Sequence, residues 1–548
     1  MKGVYFMKSK YVFALLTIAM TSTSLVGCGG RRVGEDDDPT RANLHIGTLD
    51  KGIGTTWLTE AAAIFEELYK DSEDFQKGRK GVKIHVSGST QYDGDYIARS
   101  TLNKDIYFTE GIPYIEVVKK GKLLPLTDAM NEVLSDYGET RSIKDKIDPS
   151  FLDYINVNND LYAIPFYDSF YGLVYDVNLW DQRSLYLQQG GGFTDKSGEL
   201  TLGCDNVAGT SDDGLPSTFA EFADLMYEMR NSNITPFITS TAGIEYTANY
   251  LYNFMANVQG REQTMLNLTL NGTATNLINV DADGKVTKLD STEIDESNAY
   301  MLTKQEGRYQ ALKFVEDVLL SNASNRFNDS SHTGAQQIFV ESKQKQKPIA
   351  MICEGSWWEN EARNAIANYE NIYKEKTNFA YMPIPFVNKE HAEARNYRHT
   401  YISLSQSFGI VSKNTQQAKL ALEFMKFLHT DKMLSKFTAD TSITRPLNYE
   451  ISEEDQANLS TYARSLIELK KNSDIVYPYS SNTIVNNNPD VFNAYHFIWN
   501  TRIGGEKGNV FKHPFMYFGS ATISNPTAEA YFNGQYEYIS SRWKGLVK

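Results

Sequence analysis

Cysteine is nearly absent from this chain: three occur in 548 residues, Cys28, Cys204 and Cys353. Cys204 and Cys353 can close one disulfide or remain thiols, and the sequence leaves both open. Histidine is scarce as well. There are eight, none forms a metal-ligand pair within a helical turn, and His391 and His399 fall in a charged stretch. Positive charge is short, with 54 Lys and Arg against 68 Asp and Glu and a net charge of −14. Such an acidic balance argues against nucleic acid and anionic lipid as partners, since both select basic patches. No Gly-x-Ser-x-Gly elbow, His-Glu-x-x-His pair, P-loop or Gly-x-Gly-x-x-Gly turn is present, so the common hydrolase, zinc and nucleotide signatures are missing. A membrane-spanning run is missing too. The longest early apolar segment, Tyr11 to Met20, falls short of the roughly 20 residues a spanning helix needs.

The N-terminus carries a positive signal. Lys2, Lys8 and Lys10 precede that short apolar run, a Thr/Ser patch follows, and then Leu25-Val26-Gly27-Cys28-Gly29-Gly30. This order of basic, apolar and small residues is that of a secretory signal. The last part resembles the lipobox of bacterial lipoproteins, which implies cleavage before Cys28, lipid on its thiol, and a cell-membrane-anchored body on the extracellular face. Loss of residues 1–27 removes three lysines and no acids, deepening the negative charge. Residues 28–42 are polar and Gly-rich and are expected to form a flexible tether.

Beyond Asn43 the chain alternates strand and helix patterns. Strands are expected at Asn43–Gly47, Val82–Val86 and Asp105–Phe108. Helices are expected at Thr56–Tyr69, with Leu58, Ala62, Phe65 and Leu68 on one face, and from Ile115 to Lys119. Such alternation predicts an α/β lobe around a mostly parallel sheet. Further helices are expected at Phe219–Met229, Arg308–Leu320 and Gln416–His429. Residues 260–305, rich in Asn, Thr, Asp and Gly, are expected to hold helical pieces and a hairpin around Asp283-Gly284.

Six segments in order resemble the sugar-binding type of extracellular solute-binding lipoprotein that serves ABC transporters, related to maltose-binding protein. They are Asp105-Ile106-Tyr107-Phe108 with Gly121-Lys122-Leu123-Leu124-Pro125-Leu126; Tyr162-Ala163-Ile164-Pro165; Gly172-Leu173-Val174-Tyr175-Asp176; Pro216-Ser217-Thr218-Phe219; Ala350-Met351 through Gly355-Ser356-Trp357; and Phe408-Gly409-Ile410-Val411. Lys104 stands where the family has proline. The resemblance implies an α/β, two-lobe, periplasmic-binding-protein-like (type II) fold with an interlobe cleft. One lobe comprises residues 43–165 plus about 386–450, and the other 166–385 plus about 451–548. Crossings are expected at Ile164-Pro165, Met382–Pro385 and Arg445–Leu447. It also implies a monomeric, non-enzymatic receptor that takes a carbohydrate, with a chain length that suits an oligosaccharide, and delivers it to ABC permease subunits without any required cofactor. The alternatives from other classes are a surface glycan-tethering lipoprotein without a permease and a glycoside hydrolase.

A sugar site needs flat rings for C–H faces and carboxylates or amides for hydroxyls. By family position the leading platform is Trp357, with Trp358 its adjacent rival. Tyr167, Asp168 and Tyr171 follow the first crossing, and Asp168 offers a carboxylate to two hydroxyls. Glu110 ends a first-lobe strand. Glu245 and Tyr246 form an acidic–aromatic pair ahead of a Tyr/Asn-rich helix. Glu354 precedes Gly355, and Trp57, Tyr92 and Asp93 complete the candidates from the first lobe. Separately, Cys204–Gly214 gathers oxygen donors around glycines, so Asp205, Asn206, Asp212 and Asp213 are candidate ligands for a structural Ca²⁺.

Overall fold

The run Ala42–Leu49 is buried at seven of its eight positions, as a strand in a sheet covered on both faces must be. In the computed structural model, which describes residues 37–239, 244–322, 331–404, 407–478, 482–488, 501–503, 509–511, 514–520 and 522–547, this strand lies inside a five-stranded sheet. The order is Val82–Ser89, Ala42–Leu49, Ile106–Glu110, Ser407–Val411 and Ile164–Pro165. The first three run parallel, and Ser407–Val411 returns antiparallel to both of its neighbours. The helix Thr56–Leu68 covers the sheet with Trp57, Leu58, Ala61, Ala62 and Phe65. The helix Ala418–Leu428 adds Leu420, Ala421, Phe424 and Met425 to the same core.

A second sheet has four strands, in the order Thr235–Ile238, Ile349–Gly355, Tyr171–Asp176 and Phe379–Met382. Tyr171–Asp176 is antiparallel to both neighbours. Its core is separate from the first. The helix Phe219–Asn231 packs here and begins at a capping box, in which Thr218 and Glu221 satisfy each other's end of the first turn. The fold is the two-lobe periplasmic-binding-protein arrangement.

Core membership changes between Tyr167 and Phe170, between Leu404 and Phe408, between Leu447 and Tyr462, and again at Tyr477, which packs on the first core. Residues near 386–404 therefore side with the second core, through Tyr401, Ile402 and Leu404. The expected crossing at Met382–Pro385 is corrected to Leu404. Pro383 and Pro385 end a second-lobe strand, because proline cannot extend the ladder, and do not carry the chain across.

The stretch 260–305 makes a third, smaller core with the C-terminal helix Ala528–Leu546, using Leu266, Leu277, Ile294, Leu302, Ile539 and Trp543. Its hairpin pairs Ile278–Val280 with Val286–Lys288. Cys204 and Cys353 are buried free thiols. Among the described residues no helix is long and apolar enough to cross a membrane. The signal segment, Cys28 and residues 28–36 of the tether lie outside the described residues.

Candidate functional site

Trp357 follows the second-lobe strand Ile349–Gly355 directly. A Cβ at Gly355 would come within 2.4 Å of Trp357 Cζ2, so glycine is what lets the indole fold back over its own strand. The ring meets Tyr171 edge-on at 5.2 Å and Tyr246 at 5.8 Å, while Tyr171 and Tyr246 are 5.3 Å apart. These three rings form an edge-to-face corner, the arrangement aromatic quadrupoles favour. Trp357 is half-buried and packs against both lobe cores. Across the interlobe boundary it lies on Gly52, where a Cβ would sit 3.0 Å from Trp357 Cγ.

Carboxylates rim the corner from both sides. Glu110 ends the first-lobe strand Ile106–Glu110 and accepts a hydrogen bond from the Tyr167 hydroxyl at 2.5 Å. Burial raises its pKa and Glu361 of the second lobe adds to that, against the pull of Tyr167 and Lys51. Gln336 Nε2 donates to Glu354 Oε1 at 3.1 Å and to Glu361 Oε2 at 2.6 Å, so one amide bridges two acids. Burial, then the Glu361 charge, pushes Glu354 well above the ordinary carboxyl range. Burial and these same two acids keep the Tyr246 hydroxyl protonated. The site thus joins aromatic faces to carboxyl oxygens at a lobe boundary.

One consequence concerns pH. Glu354 is protonated more readily in the folded chain than in the unfolded one. Its contribution to stability is complete below the ordinary carboxyl pKa and is lost as pH rises through the higher folded value. Glu354→Gln keeps the oxygen that accepts from Gln336 and removes the ionisation. It is expected to stabilise the protein by about 1–2 kcal/mol at pH 8, the scale of one poorly compensated buried polar group, and to change little at pH 4. Thermal unfolding of both proteins at the two pH values checks this, and an equal shift at both removes Glu354 as the source.

The hinge beside the site is a buried polar network. Asp168, fully buried, accepts from Thr444 Oγ1 and Lys470 Nζ, both at 2.8 Å, and from Ser403 Oγ at 3.2 Å. Arg445 donates to the carbonyls of Phe166, at 2.7 Å, and Pro165, at 3.2 Å. Burial lowers the Arg445 pKa to about 10, leaving it charged at neutral pH. Burial and Arg445 push His429 well below its ordinary value. The neutral ring therefore accepts from Arg445 at Nε2, at 2.8 Å, and donates from Nδ1 to the Met425 carbonyl at 2.6 Å.

The family model of the bacterial extracellular solute-binding proteins matches residues 55–433. The chain belongs to this family. It is thereby a solute-binding protein rather than a member of an enzyme family. No curated protein matches it in sequence. Solved structures share its fold at low identity. The GacH receptor of Streptomyces glaucescens, solved unliganded and with acarbose, is 12% identical, with 92% of this chain and 98% of that one covered and a TM-score of 0.53. The bacterial solute receptor AcbH, described with an exclusive preference for b-D-galactopyranose, is 11% identical, with coverage of 93% and 100% and a TM-score of 0.54. A protein described in work on xylan utilization by Caldanaerobius polysaccharolyticus is 16% identical, with coverage of 91% and 100% and a TM-score of 0.52.

In this solute-binding protein the expected site residues divide sharply. Trp357, Tyr171, Tyr246, Glu354, Glu110 and Tyr167 come together at the lobe boundary. Trp57 does not. It is 4% exposed and packs on Phe108, Phe166 and Phe437, because helical spacing aligns it with Leu58, Ala61 and Phe65. Trp358 is wholly buried between Phe339 and Phe379, since adjacent residues at a strand end point apart. Asp168 is corrected from sugar ligand to hinge residue, as its oxygens are already engaged. Asp93 caps the helix Gly94–Arg99 by accepting from Tyr96 N, and Tyr92 packs on Tyr96 and Tyr107. Glu245 begins a helix, but its side chain lies outside the described residues.

The acidic loop folds on itself. Asp212 accepts from the backbone N–H groups of Cys204 and Asp205, Asp205 from Val207 N, and Asp213 from Gly209 N. Asn206 turns the chain with a left-handed φ of 58°. Among the described residues, the ligand atoms of Asp205, Asp212 and Asp213 do not gather within 4.8 Å of one another. Sequence reasoning missed Glu361, Gln336 and Lys51. Only Glu361 carried a signal, lying one helical turn after Trp357.

Proposed function

We propose that this chain is a lipid-anchored extracellular receptor that captures a carbohydrate, an oligosaccharide by the length of the chain, and delivers it to an ABC permease. The observation that carries the reading is the Trp357, Tyr171 and Tyr246 corner rimmed by Glu110, Glu354 and Glu361. The rings suit the C–H face of a pyranose, and the carboxyl oxygens of Glu110 and Glu361 are placed to accept its hydroxyls. Family membership supports capture over catalysis, and relatives of the same fold are described with acarbose and with b-D-galactopyranose. The lipid anchor rests on Leu25–Cys28. Ligand binding favours the lobe arrangement in which Trp357 reaches Gly52, and the equilibrium shifts by the ligand's preference for that arrangement.

The test is calorimetric titration of the mature chain with galactose, raffinose, maltotriose, xylotriose and chitotriose. Saturable binding of at least one, with a smaller scattering radius in the complex, is the expected result. Silence toward all five, alongside binding of an amino acid or peptide, overturns the carbohydrate reading.

A further inference from the structure

The helix Ile244–Thr269 carries asparagines at 249, 253 and 257, one per turn and all at most 1% exposed. Residues four apart share a helix face, and two of the three are fully used. Asn257 accepts from Thr400 N at 3.3 Å and donates to the Ile384 carbonyl at 3.4 Å. Asn253 accepts from Ile402 N at 2.7 Å and donates to the Tyr171 carbonyl at 2.9 Å. Each turn of the helix thus meets the second next N–H of the strand His399–Ile402. By that register Asn249 would meet Leu404 N. That N–H instead donates to the Ser169 carbonyl at 2.9 Å, because the chain is there leaving the second lobe for the hinge. Asn249 Oδ1 is left buried and without a hydrogen-bond partner among the described residues.

Its neighbours one turn away in either direction belong to the aromatic corner or hold it. Asn249 is one turn from Tyr246, a ring of the aromatic corner, and one turn from Asn253, which holds the backbone of Tyr171, a second ring of that corner. A buried carbonyl oxygen that lacks a donor is unfavourable until one arrives. We infer that Asn249 Oδ1 accepts a hydroxyl of the bound sugar and is a specificity-determining residue of the cleft. The inference rests on the carbohydrate reading above and sharpens it. An amide oxygen without a donor is matched by a ligand hydroxyl, which a neutral polyol supplies. It also discriminates against a sugar lacking that hydroxyl, since the oxygen then stays unpaired.

The experiment compares wild type, Asn249→Leu and Asn249→Ala by calorimetric titration with galactose, raffinose, maltotriose, xylotriose and chitotriose, together with thermal unfolding without sugar. The expected result is at least a tenfold weaker Kd in both variants for the sugar that wild type binds. An unfolding temperature in Asn249→Leu equal to or above that of wild type should accompany it, because an unpaired oxygen has been removed. Wild-type binding with variant affinities within twofold overturns the inference alone and assigns the oxygen to a buried water. Asn249→Leu that unfolds far earlier while Asn249→Ala binds normally also overturns it, as that is a packing role. Wild type silent toward all five sugars while it binds an amino acid or peptide removes the carbohydrate reading first, and this inference with it.

Discussion

Trp357→Ala is expected to weaken sugar binding by about 2–4 kcal/mol, the range for an aromatic anchor at the centre of an interface, or roughly 30- to 1000-fold in Kd. The size follows from position. The indole touches Tyr171 and Tyr246 on its own lobe and Gly52 on the other, so truncation removes both a platform and the contact that brings the lobes together. The unliganded variant is accordingly expected to have a larger scattering radius than unliganded wild type. Its neighbour supplies the control. Trp358 is wholly buried, and Trp358→Ala is expected to cost about 3–5 kcal/mol of stability as a core truncation. Calorimetry and urea unfolding of the two variants therefore separate. An unchanged Kd in Trp357→Ala removes that residue from the site.

Lys470→Met is expected to destabilise the protein by about 3–5 kcal/mol, because it strands a buried carboxylate. Asp168 has no exposure and its Oδ2 accepts from Lys470 at 2.8 Å. Lys470 also donates to the Arg445 carbonyl, so one ammonium ties together two of the lobe crossings. Asp168→Asn removes the charge that Lys470 balances. The double variant is expected to lose much less than the sum of the single losses, since neither charge is then left alone. Urea unfolding of the four proteins gives the coupling. Additive losses within about 0.5 kcal/mol contradict the pairing.

Much of the first lobe was legible in the sequence, because its elements are local. The apolar spacing of Thr56–Leu68 and the short buried runs at Ala42–Leu49 and Ile106–Glu110 declare themselves within one window. The site was legible where chemistry and position agreed, as at Trp357, and illegible where one residue type serves two ends. Trp57 and Trp358 are as aromatic as Trp357, and only packing separates core from cleft. Asp168 looks like a ligand in sequence because its partners Ser403, Thr444 and Lys470 lie more than two hundred residues away. Gln336 and Lys51 were hidden for the same reason. The Leu404 crossing was hidden because the prolines at 383 and 385 mark a strand end as plainly as a hinge.

Gly52 gives the first lobe a bare backbone to set against the indole, with a φ of 31° and space so tight that a Cβ would sit 3.0 Å from Trp357 Cγ. A methyl there works as a shim, and its thickness decides how far apart the two bodies rest when clasped. The capture strength of this protein is therefore adjustable at a residue that no sugar atom needs to touch. A bulkier residue at that spot has to push the indole off its seat and settle for a looser grip.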